Sequence, residues 1–232
     1  FVNEKIKHNF HIIELSSYQL ESAPSFSSYI SILLNISDDH LDRYGSIQNY
    51  AKTKEKIISK NNDTYFIVSV DDLSCNDIHK RNINNINKII PISVNKKITD
   101  GISFIKDKIY DDYFEKKIFN ISNLSISLTG SFNKQNILAT YAVSKILDIK
   151  KNVFFDTLQN YKGLPHRLEI LYNSKKCLII NNSKATNFES AIKTIENYEN
   201  IFLIIGGRIK NKDFSIFKDF KKNIKKCFII GE

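Results

Sequence analysis

The sequence has no stretch approaching the roughly 18 uninterrupted apolar residues that a membrane-spanning helix requires, so no segment is expected to cross a bilayer. Methionine is missing altogether, and position 1 is Phe1; the expectation is that the true amino terminus lies upstream. Cysteine is scarce. Cys75, Cys177 and Cys227 are odd in number, far apart and without paired metal-ligand spacing, which argues against a disulfide framework or a zinc site and suits a reducing cytoplasm. Internal repeats and low-complexity tracts are absent too. So is any phosphate-binding loop of the form GxxxxGK followed by Ser or Thr.

What is present is enough apolar residue to bury a core, 42% of 232 positions, which fits one large domain or two of modest size. The net charge of +9 would suit a nucleic-acid or membrane-surface partner if the lysines were clustered. They are spread along the whole chain, alongside abundant Ile, Asn, Phe and Tyr, so compositional drift explains the charge and neither partner is expected.

Apolar runs of strand length alternate with stretches of helical period at Phe10 to Leu15, Tyr29 to Ile36 and Tyr65 to Val70, the signature of an α/β fold. From about Ile89 to Leu128 the pattern shortens to segments such as Gly101 to Tyr110 and Tyr113 to Phe119. Antiparallel hairpins are expected there, with a turn at Asp111-Asp112. A long helix follows from about Asn133 to Leu147, with Ile137, Leu138, Tyr141, Ala142 and Ile146 on one stripe.

Gly163-Leu164-Pro165 is a break of the kind that joins domains. Beyond it the expected order is strand (Cys177 to Ile180), helix (Glu189 to Glu196), strand (Phe202 to Ile205), helix (Phe214 to Asn223) and strand (Cys227 to Ile230). The expected fold class is therefore α/β. A central domain over 1–163, mostly parallel sheet plus small hairpins, precedes the first half of a Rossmann-like doubly wound domain over 164–232. Gly231-Glu232 falls where a strand should pass into its next helix, so both ends are expected to be truncated.

Ligands of open α/β sheets bind beyond the carboxyl ends of strands. Glu14 ends the run Phe10 to Ile13, with Ser16 and Ser17 after it, and Asp38-Asp39-His40 with Asp42 and Arg43 follows Ile30 to Ile36. A carboxylate and an imidazole at neighbouring strand ends could share a hard divalent cation such as magnesium; equally, Glu14 and Asp38 could cap helices while His40 satisfies a loop carbonyl.

Ser46 to Lys60 has helical period, with Ile47, Tyr50, Ala51, Ile57 and Ile58 on one face. Lys54 lies within that face, whereas Lys52, Lys56 and Lys60 project the other way. A lysine turned inward loses hydration and gains neutral amine, which can take up carbon dioxide as a carbamate; the alternative is a stem that snorkels to water.

"LTGSFNKQN" puts Asn133 and Asn136 in or near the first turn of the long helix, as caps or as contacts to a nucleotide base. In "NNSKATNFES", Thr186 and Glu189 have capping-box spacing, and Lys184 beside that helix start suits a substrate carboxylate. "IIGGRIKNKDFS" follows the next strand with Arg208, Lys210 and Lys212, either an anion clamp or a solvated basic loop.

Taken together, "ELSSYQLE", "LNISDDHLDRY", "YAKTKEKI", "GSFNKQN", "GLPHRLE", "NNSKATN" and "GGRIKNKDFS" resemble the Mur ligases in order and spacing over nearly the whole chain. The resemblance implies an ATP-dependent enzyme of three domains that phosphorylates a carboxylate and then joins an amine to the acyl phosphate. "NNSKATN" points within the family to D-glutamate as the amine and UDP-N-acetylmuramoyl-L-alanine as the acceptor, in a cytoplasmic enzyme that is monomeric when complete.

By the same resemblance Glu14 and His40 correspond to magnesium ligands and Lys54 to a carbamylated lysine. Asn133, Asn136, Arg167 and Asn182 would contact ATP. Ser16, Lys184, Thr186 and Lys210 would serve the substrates.

The chain departs from the family where Asn182 stands in place of Asp and Phe132 in place of His, which bears on nucleotide binding. The missing phosphate loop and uridine-nucleotide domain imply that the piece as given does not turn over substrate. The competing expectations are a sister ligase, adding another amino acid or extending folate with glutamate, and a non-catalytic basic module that binds nucleic acid.

Overall fold

A computed structural model describes residues 10–37, 40–59, 61–86, 88–121, 124–128, 131–186, 188–207 and 215–231. The chain divides into two compact units, one of residues 1–103 with 111–116 and the other of 104–110 with 117–232.

In the first unit, α1 (Ser17–Ser22) is followed by β1 (Ile30–Leu33), α2 (Leu41–Tyr44), α3 (Ile47–Glu55), β2 (Tyr65–Ser69), α4 (Leu73–Asn82), β3 (Ile89–Ser93) and the first two residues of β4 (Ile102–Ile105). β2 pairs in parallel with β1 on one side and β3 on the other, and the first residues of β4 pair in parallel with β3. Phe66, Ile67 and Val68 are successive and all buried, so β2 is covered on both faces, as strands of parallel sheets are. One face packs Phe66 and Val68 with Cys75 and Ile78 of α4 and with Tyr50 and Ala51 of α3.

Local chemistry starts and seats the helices. Ser46 caps α3 by accepting from the Asn49 amide, and Asp72 caps α4 by accepting from the Cys75 amide. The buried Ser31 of β1 donates to the Ile57 carbonyl at 2.6 Å, and Ser59 accepts from the Ser28 amide at 2.7 Å. These serines tie the end of α3 to the edge of the sheet.

Two expectations fail in this unit. Phe10 to Leu15 is not a strand; no described strand lies beside it, Ile12 is fully exposed, and an apolar run without a ladder partner cannot pair its backbone groups. Ile89 to Ser93 belongs to no hairpin but extends the parallel sheet through partners 23 residues earlier, as in Phe66 opposite Ile89.

The second unit continues with β5 (Lys108–Asp111), β6 (Lys117–Asn120), α5 (Ser131–Ile146), α6 (Lys151–Asn160), β7 (Glu169–Asn173), β8 (Leu178–Asn181), α7 (Phe188–Ile195), β9 (Ile201–Gly206) and β10 (Ile224–Ile230). β4 turns into its neighbour β5 through Lys106 and Asp107, both at positive φ, the combination that tight hairpins favour. Ile137, Leu138, Tyr141 and Ala142 bury the inner stripe of α5, with Tyr141 against Phe119 and Phe154.

The expected strand at Cys177 to Ile180 forms as β8 but pairs antiparallel with β7, which the sequence reading missed, and β9 and β10 form a separate parallel pair. A short 3-10 segment at Ser215–Phe220 stands where a helix to Asn223 was expected; Phe214 lies outside the described residues. No described helix is long and apolar enough to cross a membrane.

Candidate functional site

Glu14, Ser16, His40 and Lys54 come from three segments of the first unit and line one open cleft of about 350 Å³. Leu15, Ser17, Gln19 and Tyr50 complete its wall. Glu14 and His40 are exposed and Lys54 is half-buried.

Each side chain reaches the cleft for a local reason. Glu14 and Ser16 sit at the entry to α1, where Ser16 is the N-cap. Its hydroxyl accepts from the Gln19 amide, while the Gln19 side chain accepts from the Ser16 amide at 2.8 Å. This reciprocal capping box fixes the turn that carries Glu14.

His40 precedes α2 in the left-handed conformation, at φ 54° and ψ 29°, a strained setting for a residue with a Cβ. Its ring meets Tyr18 edge-on at 5.2 Å between centroids, and the Tyr18 hydroxyl lies 3.3 Å from Nδ1. Lys54 is one helical turn beyond Tyr50 on α3, and its Nζ lies 5.6 Å from the centre of the Tyr50 ring. Lys52 and Lys56 are exposed, as the helical period implies. Lys60, Asp38 and Asp39 lie outside the described residues.

Arg43 anchors this wall. Its guanidinium donates to Glu21 at 2.7 Å and stacks 4.7 Å above the Tyr18 ring. That hydrogen bond holds the Glu21 carboxyl below its usual range and pushes Arg43 up.

Tyr18, Gln19 and Tyr50 were not read as site residues. The i, i+4 spacing of Tyr50 and Lys54, and the place of Tyr18 four residues after Glu14, were the signals available for them.

Among the described residues, no three His, Cys, Asp or Glu side chains cluster as a metal site. The donors in the cleft suit magnesium in a narrower way, because that ion keeps several waters and takes only one or two protein carboxylates, with phosphate oxygens filling the rest. Glu14 meets that need and His40 adds a nitrogen donor.

The other expected site residues lie in the second unit. Asn133 is buried and its amide donates to the Ser127 carbonyl at 3.2 Å, and Asn136 donates to Asn133. Gly163 stands at φ 84° with the Ser127 side chain 3.1 Å from where a Cβ would be, so only glycine fits that corner without strain.

Arg167, Lys184 and Thr186 are exposed, and the Lys184 amide donates to the His166 carbonyl. Asn182 accepts from the Leu168 amide at 3.2 Å and donates to the Thr194 hydroxyl at 2.8 Å. The amide thus uses its oxygen toward one segment and its nitrogen toward another, with the Thr194 hydroxyl as acceptor. The Glu189 side chain, Arg208, Lys210 and Lys212 lie outside the described residues, as does the proposed capping box that includes Glu189.

Comparison with known proteins agrees with the fold. The family profile of the Mur ligase middle domain matches residues 2–144. A UDP-N-acetylmuramoylalanine--D-glutamate ligase of Rickettsia bellii is 36% identical over 229 residues, 96% of this chain and 50% of the relative, and the same-named ligase of Rickettsia felis is 34% identical over 98% and 50%. The chain thus spans about half the length of the curated relatives it matches.

Among solved structures, an FPGS-AMPPCP-folate complex superposes with a TM-score of 0.67 at 16% identity, over 90% of this chain and 52% of that one. MurF from Acinetobacter baumannii superposes with a TM-score of 0.60 at 15% identity, over 93% and 49%. At that identity the likeness is one of fold. With the profile matching more than half of its length, this chain belongs to the Mur ligase family.

Proposed function

We propose that the protein carrying this chain is an ATP-dependent ligase that joins D-glutamate to UDP-N-acetylmuramoyl-L-alanine in peptidoglycan synthesis, acting in the cytoplasm as a monomer. The observation that carries the reading is that Glu14, His40 and Lys54 line one and the same cleft. The names of the relatives point the same way.

In this reading residues 1–163 form the ATP-binding region and 164–232 begin the domain that holds the amino acid. The substrate carboxylate attacks the γ-phosphorus of ATP and ADP leaves. The amine of D-glutamate then attacks the acyl carbon of the acyl phosphate, loses a proton, and inorganic phosphate departs.

Such chemistry needs charge and position around the phosphoryl group rather than a protein nucleophile. Bound magnesium would supply positive charge beside the phosphoryl oxygens. Glu14 and His40 would hold it. Lys54 as an ammonium would repel a divalent cation, whereas its carbamate adds a second anionic ligand, so the carbamate is the form assigned.

Asn133, Asn136 and Arg167 would orient the nucleotide, and Ser16, Lys184, Thr186 and Lys210 the substrates. Asn182 has both sides of its amide committed to Leu168 and Thr194, so its part is to hold the loop that carries Arg167.

The test is phosphate release by the complete protein. It should require ATP, magnesium, UDP-N-acetylmuramoyl-L-alanine and D-glutamate together, and chelation should abolish it. Equal turnover with L-lysine or meso-diaminopimelate would instead favour a sister ligase. Lys54→Ala should lose activity and regain part of it in acetate, a small carboxylate that stands in for the carbamate; an undiminished rate would remove Lys54 from the site.

A further inference from the structure

We propose that Tyr18 is a positioning residue for His40: its hydroxyl accepts the Nδ1 proton, which leaves the Nε2 electron pair to bind a cation. The proposal rests on the cation reading of the cleft. A neutral imidazole has one N–H and one electron pair, and the partner of the first nitrogen decides which the second carries. Histidines that ligate metals nearly always donate their other N–H to such a partner.

Tyr18 is well held for that task. Its ring lies 4.7 Å from the Arg43 guanidinium, and Arg43 is held in turn by Glu21, with Nη2 2.7 Å and Nε 3.3 Å from Oε2. Glu21 and Tyr18 share α1, Arg43 belongs to α2, and His40 immediately precedes α2. The clamp therefore joins the two segments that the Tyr18–His40 contact spans.

His40 makes no side-chain hydrogen bond to cap α2. Its ring is instead held edge-on by Tyr18 at 79° and Tyr50 at 71°. The hydroxyl of Tyr18 is 3.3 Å from Nδ1. If the phenol were the donor, Nε2 would keep its proton and could not coordinate, so the direction of the Tyr18–His40 hydrogen bond bears directly on His40 as a ligand.

The experiment is nitrogen NMR of the chain labelled with 15N-histidine, recorded above the ordinary titration range of histidine, with the His40 signals assigned by their loss in His40→Gln. His40 should be chiefly the Nδ1–H tautomer. Tyr18→Phe, which keeps the ring and its stacking, should shift it toward Nε2–H and weaken manganese or magnesium binding about tenfold.

A wild-type His40 that carries its proton on Nε2 would overturn the proposal without recourse to any variant. So would a tautomer unchanged by Tyr18→Phe. If the tautomer responds as expected but added manganese leaves the His40 resonances untouched, the pairing stands and the cation reading falls.

Discussion

β2 in the first unit and β9 in the second are written in nearly the same residues, "YFIVS" and "IFLIIG", and both pair in parallel with a neighbour. Yet Phe66, Ile67 and Val68 are at most 1% exposed, while Phe202 and Ile204 are 61% and 68% exposed. β2 has α3 and α4 stacked on one face and neighbours on both edges. Along β9 half-buried and exposed residues alternate, so only one face is partly covered among the described residues. In these two segments a continuous apolar run goes with an extended strand and parallel pairing. How deeply it is buried depends on what else is stacked there.

The sharpest way to break this comparison is truncation at matched positions. Phe66→Ala should destabilise the first unit by about 3–5 kcal/mol, from lost transfer energy and the cavity left behind. Phe202→Ala should cost well under that, because most of its side chain is already in water. Urea unfolding followed by hydrogen exchange in each unit would read both; equal losses would contradict the contrast in burial.

A smaller effect is expected at Ser31→Ala, which leaves the Ile57 carbonyl without its 2.6 Å donor. The cost should be about 1–3 kcal/mol, and exchange should quicken first at the end of α3 if those serines hold that helix to the sheet.

Asn182→Leu removes both the acceptor of the Leu168 amide and the partner of the Thr194 hydroxyl, and should loosen Leu168 and α7 more than it changes the melting of the first unit. Exchange at the Leu168 amide reads this directly.

The smallest change is expected at Glu21→Gln. The Arg43 hydrogen bond lowers the folded pKa of Glu21. Its contribution is therefore present above the unfolded carboxylate pKa and fades as pH falls through the folded value. The variant should be slightly less stable near neutrality, indistinguishable in strong acid, and less affected in high salt because the pair is exposed.

Where chemistry depends on spacing within one helix, the sequence was legible. Lys54 falls on the inner side of α3 between Lys52 and Lys56 because of the 100° step alone, and the long helix keeps its stripe from Ile137 to Ala142.

Contacts across the chain were less legible. The parallel pairing of Phe66 with Ile89 spans 23 residues and leaves no local mark. The Tyr18–His40 contact spans 22 residues. Phe10 to Leu15 has the composition of a strand, but composition does not reveal whether another strand lies alongside. Asn182 was read from its place beside the nucleotide, and its bonds to Leu168 and Thr194 join three segments that no window of sequence brings together.

The central claim is that Glu14, His40 and Lys54 act on one cation. Titration of the labelled chain with manganese, a paramagnetic stand-in for magnesium, tests it most directly. Resonances of Glu14, His40 and Lys54 should broaden first and together, ahead of exposed carboxylates elsewhere such as Asp63, and magnesium should reverse the effect. Broadening that is uniform over the surface carboxylates, or that spares His40 and Lys54, would contradict the account.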